Sequence, residues 1–172
     1  MSLLDLYTSC QLCPRNCKAD RQHGQTGFCH MPADLKVARA ALHMWEEPCI
    51  SGTRGSGAVF FSGCSLRCIF CQNYEIAQGN CAREISGDRL SEIFLELQEK
   101  GAANINLVTA THFAPAVIGA LKKAKAQGIS QRTMREARSR MKEELDYRMN
   151  EKQENTIRLK KQGRMGDGRI LE

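Results

Sequence analysis

The chain has 172 residues, 42% hydrophobic and 26% charged, with a net charge of +6. This is enough apolar material for one buried core and excludes a fully disordered chain. The longest apolar stretch, Phe113 to Leu121, is nine residues, short of the ~20 that cross a bilayer. No charged-then-apolar leader opens the sequence, so no membrane partner and a cytoplasmic location are expected.

Three compositional segments follow one another: a cysteine-rich amino-terminal segment (1–52), a segment of alternating apolar runs and helical patterns (53–129), and a charged tail (130–172). The nine cysteines are odd in number, and in a reducing compartment clustered thiols point to metal rather than to disulfides. Cys10, Cys13, Cys17 and Cys29 come first, with Pro14, Gly24 and Gly27 supplying turns between them. Four thiols so spaced suit Zn²⁺ or an iron–sulfur cluster; a set of reduced, packed thiols is the alternative. Cys49 and Cys81 fall in no recognisable spacing and are expected to be bystanders.

The apolar run Ala58–Phe61, set between glycines, predicts a buried strand. A long polar loop follows to about Ser86. Leu90, Ile93, Phe94 and Leu97 recur with the period of an amphipathic helix, which Ser86 or Asp88 can cap and Gly101 can end. Ile105–Thr109 predicts a second strand. Pro115 opens a second helix that turns Val117, Ile118, Leu121 and Ala124 inward and closes at Gly128. Strands alternating with helices predict an α/β fold with parallel strands and right-handed crossovers, and ligands at the carboxyl ends of those strands. The tail, rich in Arg, Glu, Lys and Met, reads as a solvated helix with interleaved charges. It holds +4 of the net charge, leaving +2 on residues 1–129. A basic face on the cysteine-bearing part, and with it a nucleic-acid partner, is therefore not expected.

Directly after the first strand stand Gly63, Cys64, Cys68 and Cys71, spaced C-x3-C-x2-C. Three thiolates on one loop can wrap one face of a [4Fe–4S] cluster, which usually takes four, and so leave one iron open to a small molecule. A zinc or electron-transfer site is the alternative reading of the triplet. Gly63 permits a sharp turn at the strand end, and Arg67 can offset thiolate charge. Cys64, Cys68 and Cys71, with Phe70 before the last of them, resemble the signature of radical S-adenosylmethionine (SAM) enzymes. The longer strings Gly52–Ile76 and Leu35–Pro48 resemble the pyruvate formate-lyase activating-enzyme-like subgroup, and the likeness covers roughly residues 10–129.

The resemblance implies an incomplete radical SAM (β/α) partial barrel, because family members carry about six strand–helix units and the match stops near Gly128–Ile129 after two. It implies a [4Fe–4S] cluster on Cys64, Cys68 and Cys71 and SAM chelated at the open iron. One electron would release a 5′-deoxyadenosyl radical that abstracts hydrogen from a substrate. Phe70 matches the residue packed near the adenine. The loop holding Thr109, Thr111 and His112 lies where the family contacts the SAM amino group, although no Gly-Gly-Glu stands there. Implied partners are a flavodoxin or ferredoxin as electron donor and a protein substrate that would receive a glycyl radical. A similar cysteine-rich leader occurs in the family. The competing functional reading is a non-catalytic iron–sulfur or zinc-binding module. His30, beside Cys29, can substitute for a thiol ligand, a surface histidine being the alternative; His43, Trp45, Glu46 and Glu47 lie in the family-like stretch and are expected to make a structural contact near the cluster. Asn73, Tyr74 and Glu75 close the cysteine loop and are expected to orient it. The sequence contains no pattern for a nucleophilic triad, a phosphate-binding glycine loop or paired catalytic carboxylates, and no catalytic side chain is assigned.

Overall fold

A computed structural model describes residues 3–45 and 51–130. The expected tail helix (131–172), together with Glu46, Glu47 and Cys49, lies outside the described residues.

Among the described residues four strands form one mixed sheet: β1 (Lys36–His43), β2 (Ser56–Phe61), β3 (Arg83–Glu84) and β4 (Ile105–Val108). Their spatial order is β3-β1-β2-β4, and the sheet does not close into a barrel. The expected parallel pairing holds between β2 and β4, in register Gly57 to Ile105 through Phe60 to Val108. β1 departs from the expectation. It pairs antiparallel with β2 and with β3, although its sequence carries no strand pattern. Its burial is irregular along its length, so cross-strand pairing with β2, and not alternation of apolar residues, makes it a strand. The segment that composition set apart thus contributes a strand to the common sheet.

Three α-helices are described: α1 (Tyr74–Gln78), α2 (Gly87–Glu99) and α3 (Ala114–Ala126). In α2 the predicted stripe of Leu90, Ile93, Phe94 and Leu97 is buried, and the Ser86 hydroxyl accepts the Arg89 N–H at the cap. α3 carries Pro in its first turn and buries Val117, Ala120, Leu121 and Ala124; Ile118, expected inward, is half-buried. The two helices pack together, with Ser91 Oγ bonded to Gln127 Oε1 (2.9 Å) and Lys123 Nζ paired with Asp88 (2.5 Å). Their inner faces meet Val37, Val59, Phe61, Ile105 and Leu107 of the sheet in one core, which also takes in Cys29, Met31 and Leu35. No described helix is long and apolar enough to cross a membrane.

Candidate metal and cofactor site at the strand ends

β2 and β4 end side by side, and short polar bonds tie their exits together. Thr109, in a left-handed conformation (φ 58°), bonds through its hydroxyl to Phe61 O (3.3 Å). The chain then enters a short 3-10 turn, Thr111–Phe113, whose side chains are all buried. The His112 ring bonds through Nε2 to Ser62 O (2.8 Å) and lies 4.4 Å from the Phe113 ring. A carbonyl can only accept, so Nε2 carries the proton. Ser62 Oγ and Thr111 Oγ1, one on each strand exit, are buried and have no hydrogen-bond partner among the described residues. Two orphaned hydroxyls at neighbouring strand ends carry a desolvation penalty that a polar ligand would relieve.

The cysteine loop leaves from this point. Gly63 takes φ 78°, and its N–H donates to Ile76 O of α1 (2.8 Å), which ties the loop's start to its end. Cys64 is buried, Cys71 half-buried and Cys68 exposed; all three are free thiols. The Leu66 N–H points at Cys64 Sγ (3.4 Å). Ile69 and Phe70 stand in solvent, Phe70 97% exposed. Asn73 precedes α1 without a side-chain capping bond, and Glu75 bonds Asn80 (2.8 Å). The backbone of α1, and not these side chains, therefore orients the loop.

Arg67 was expected to offset thiolate charge. Its donors go instead to His30 Nε2 (2.6 Å) and to Gln78 Oε1, and its guanidinium lies 5.7 Å from the Phe28 ring. His30 is thereby engaged by Arg67. The Arg15 guanidinium also lies over the Phe28 ring, at 3.9 Å, and donates to Ser65 O (2.9 Å) and Leu66 O (3.4 Å). The amino-terminal segment thus grips the cysteine loop.

Within that segment Cys10 and Cys29 are buried, Cys13 is half-buried and Cys17 is exposed. The chain from Cys10 to Ala19 folds into a knuckle, closed by Cys10 N–H to Ala19 O (3.1 Å), Lys18 N–H to Cys10 O (3.0 Å) and Asn16 N–H to Cys13 O (3.0 Å). Asn16 (φ 45°) and Lys18 (φ 55°) supply its left-handed turns. Burial pushes the Cys29 thiol above its ordinary pKa; the Arg21 guanidinium pulls it back, and Cys13 and Cys10 push it further up. Arg21 is 1% exposed and carries no motif that sequence reading could find. His23 pairs with Asp20 (2.7 Å) at the surface, and His43 accepts the Trp45 N–H (3.2 Å). Cys81 is exposed.

Among the described residues no three His, Cys, Asp or Glu side chains are gathered closely enough to hold a metal ion as they stand. The structure brings the loop after β2 next to the loop after β4, as the strand-end argument predicted. It leaves Phe70 apart, pointing into solvent.

No family model matches the chain, and no solved structure matches it. Among curated proteins it is similar to an uncharacterized protein of Methanocaldococcus jannaschii, 31% identical over 74 residues, which is 43% of this chain and 20% of that protein. The chain thus spans about a fifth of the length of the curated relative it matches.

Proposed function

We propose that the chain is the cluster-bearing part of a radical SAM protein of the activating-enzyme-like kind, in which Cys64, Cys68 and Cys71 hold a [4Fe–4S] cluster. The observation that carries this reading is the three free thiols on a loop leaving β2 beside two buried hydroxyls without partners, Ser62 and Thr111. The donor set fits: a polynuclear cluster takes thiolates and needs them farther apart than one ion does, so the lack of a tight cage does not count against it. When bound, the cluster would supply the electron for reductive cleavage of the SAM sulfonium.

The chain's own part is positioning. Gly63 and α1 set the direction of Cys64. His112 and Thr109 lock the exits of β2 and β4 into a common floor. Thr111 and Ser62 offer hydroxyls to a polar group there. Phe70, free of protein contacts that would hold it, is available to cover an aromatic ring. Four strands in an open sheet do not enclose a substrate, so turnover is assigned to this chain together with the barrel remainder, its electron donor (a flavodoxin or ferredoxin) and a protein substrate.

Anaerobic reconstitution of the full chain with iron and sulfide, followed by dithionite reduction and electron paramagnetic resonance, tests the reading. It expects about four irons per chain, a reduced-cluster signal altered by SAM, and loss of both in the Cys64→Ala, Cys68→Ala and Cys71→Ala variants. A signal indifferent to SAM, or iron binding indifferent to the three substitutions, would reject it.

A further inference from the structure

We propose that Cys10, Cys13, Cys17 and Cys29 hold one zinc ion as a four-thiolate structural centre, that the buried Arg21 guanidinium is its charge partner, and that the centre braces the loop carrying Cys64, Cys68 and Cys71. The inference does not rest on the iron–sulfur reading of that loop.

Arg21 is the first observation. It is buried, yet among the described residues no carboxylate pairs with it. Its donors reach Met31 O (2.9 Å), His112 O (2.6 Å), Pro32 O (2.7 Å) and Cys10 Sγ (3.5 Å), and its plane lies 4.7 Å from the Tyr7 ring. The carbonyls satisfy its N–H groups but bring no net charge, and a buried cation without a counter-ion is costly. Of the groups its donors reach, Cys10 Sγ is the one that carries negative charge when it ligates a metal. A divalent ion held by four thiolates carries a net charge of about −2, which a neighbouring guanidinium offsets.

The nearness of Cys17 to Cys29 is the second, independent observation. A Cβ on Gly27 would lie 2.6 Å from Cys17 Sγ and 4.0 Å from Cys29 Sγ. Cys17 Sγ and Cys29 Sγ therefore lie beside the same glycine, the first of them where a side chain would overlap it. The knuckle from Cys10 to Ala19 keeps Cys10 and Cys13 on the adjoining turn. Closing the set on an ion requires rotations about the cysteine Cα–Cβ bonds between staggered rotamers. Four cysteine thiolates are the donor set of a closed structural zinc site, with bonds of about 2.3 Å.

The bracing follows from what lies between these cysteines. Arg15, between Cys13 and Cys17, holds Ser65 O and Leu66 O. Phe28, next to Cys29, has the Arg15 and Arg67 guanidinium groups 3.9 and 5.7 Å from its ring. The backbone of Cys29 lies against Gly63.

The test uses the full chain with Cys64, Cys68 and Cys71 all replaced by Ser, so that metal on that loop plays no part. Elemental analysis of the purified protein is expected to find one zinc per chain, with Cys10, Cys13, Cys17 and Cys29 protected from alkylation and Cys81 modified. Adding Cys13→Ser or Cys17→Ser, at the two less buried positions, is expected to abolish zinc and protection. Arg21→Met is expected to weaken zinc affinity on the order of tenfold to a hundredfold against a chromophoric chelator, with Arg21→Lys recovering part of it. Should either Arg21 variant fail to fold by circular dichroism, the Cys13 and Cys17 variants decide the site. Removing zinc from the otherwise native chain is expected to speed proteolytic cleavage between Gly63 and Asn73. Absence of stoichiometric zinc, iron and sulfide in its place, or an unchanged zinc content in the Cys13 and Cys17 variants overturns the site. Unchanged affinity in a folded Arg21→Met protein overturns the charge partnership, and unchanged cleavage overturns the brace.

Discussion

Gly63 is the residue through which the loop's cysteines meet the rest of the fold, and replacing it by Ala separates two effects. It sits at φ 78°, where an L side chain is strained by about 1–2 kcal/mol. A Cβ there would also lie 2.6 Å from the backbone oxygen of Cys29 and against Met31 Cγ. A backbone oxygen inside a core segment cannot swing away, so relief requires shifting chain, at about 1–3 kcal/mol. Gly79 is the control. Its φ is 90°, but its Cβ would meet only the terminal Met31 Cε at 2.6 Å, a flexible tip that moves aside. Gly63→Ala should therefore lose about 2–5 kcal/mol and Gly79→Ala about 1–2 kcal/mol. The stiffening of the unfolded chain by Ala is common to both and drops out of the difference. With urea slopes of about 1–3 kcal/mol per molar, the midpoints should separate by roughly 1 M in anaerobic urea unfolding under reductant. Equal midpoints, within about 0.5 kcal/mol of each other, would refute the backbone-overlap argument and with it the close docking of Cys29 on the strand end.

Two further outcomes are expected. Burial raises the Tyr7 pKa to about 12 from 10.0, against the opposing pull of Arg21. The folded state thus holds the phenol proton more tightly than the unfolded state does. The stability this contributes is complete below pH 10 and falls as pH rises toward 12. Relative to Tyr7→Phe, the native chain should lose on the order of 3 kcal/mol across that window, read as the difference in urea midpoints between pH 9 and pH 12; parallel curves would refute it. Phe70→Ala, at a position 97% exposed, should change stability by no more than about 0.5 kcal/mol. Under the proposed function it should weaken SAM binding to the reconstituted chain by about 1–3 kcal/mol, the range of a ring stacked on a base, as titration calorimetry would measure.

The two long helices, α2 and α3, and the strands β2 and β4 were legible in the amino-acid sequence because their signals are local. The stripe Leu90, Ile93, Phe94, Leu97 has one helical solution, and Ser86 caps it whatever packs against it. The Cys64, Cys68, Cys71 spacing likewise declares a thiol loop at a strand end before any packing is known. Other features depended on residues distant in the chain. β1 is alanine-rich and irregularly buried, so its identity as a strand, and the antiparallel half of the sheet, come from the edge that β2 offers it. Arg21 is one arginine among many polar residues until the fold lays Pro32, His112 and Cys10 around it. Periodicity and spacing are written over a few turns of chain, whereas the surroundings of a buried charge and the pairing partners of a strand are set by segments that only folding brings within a few ångströms.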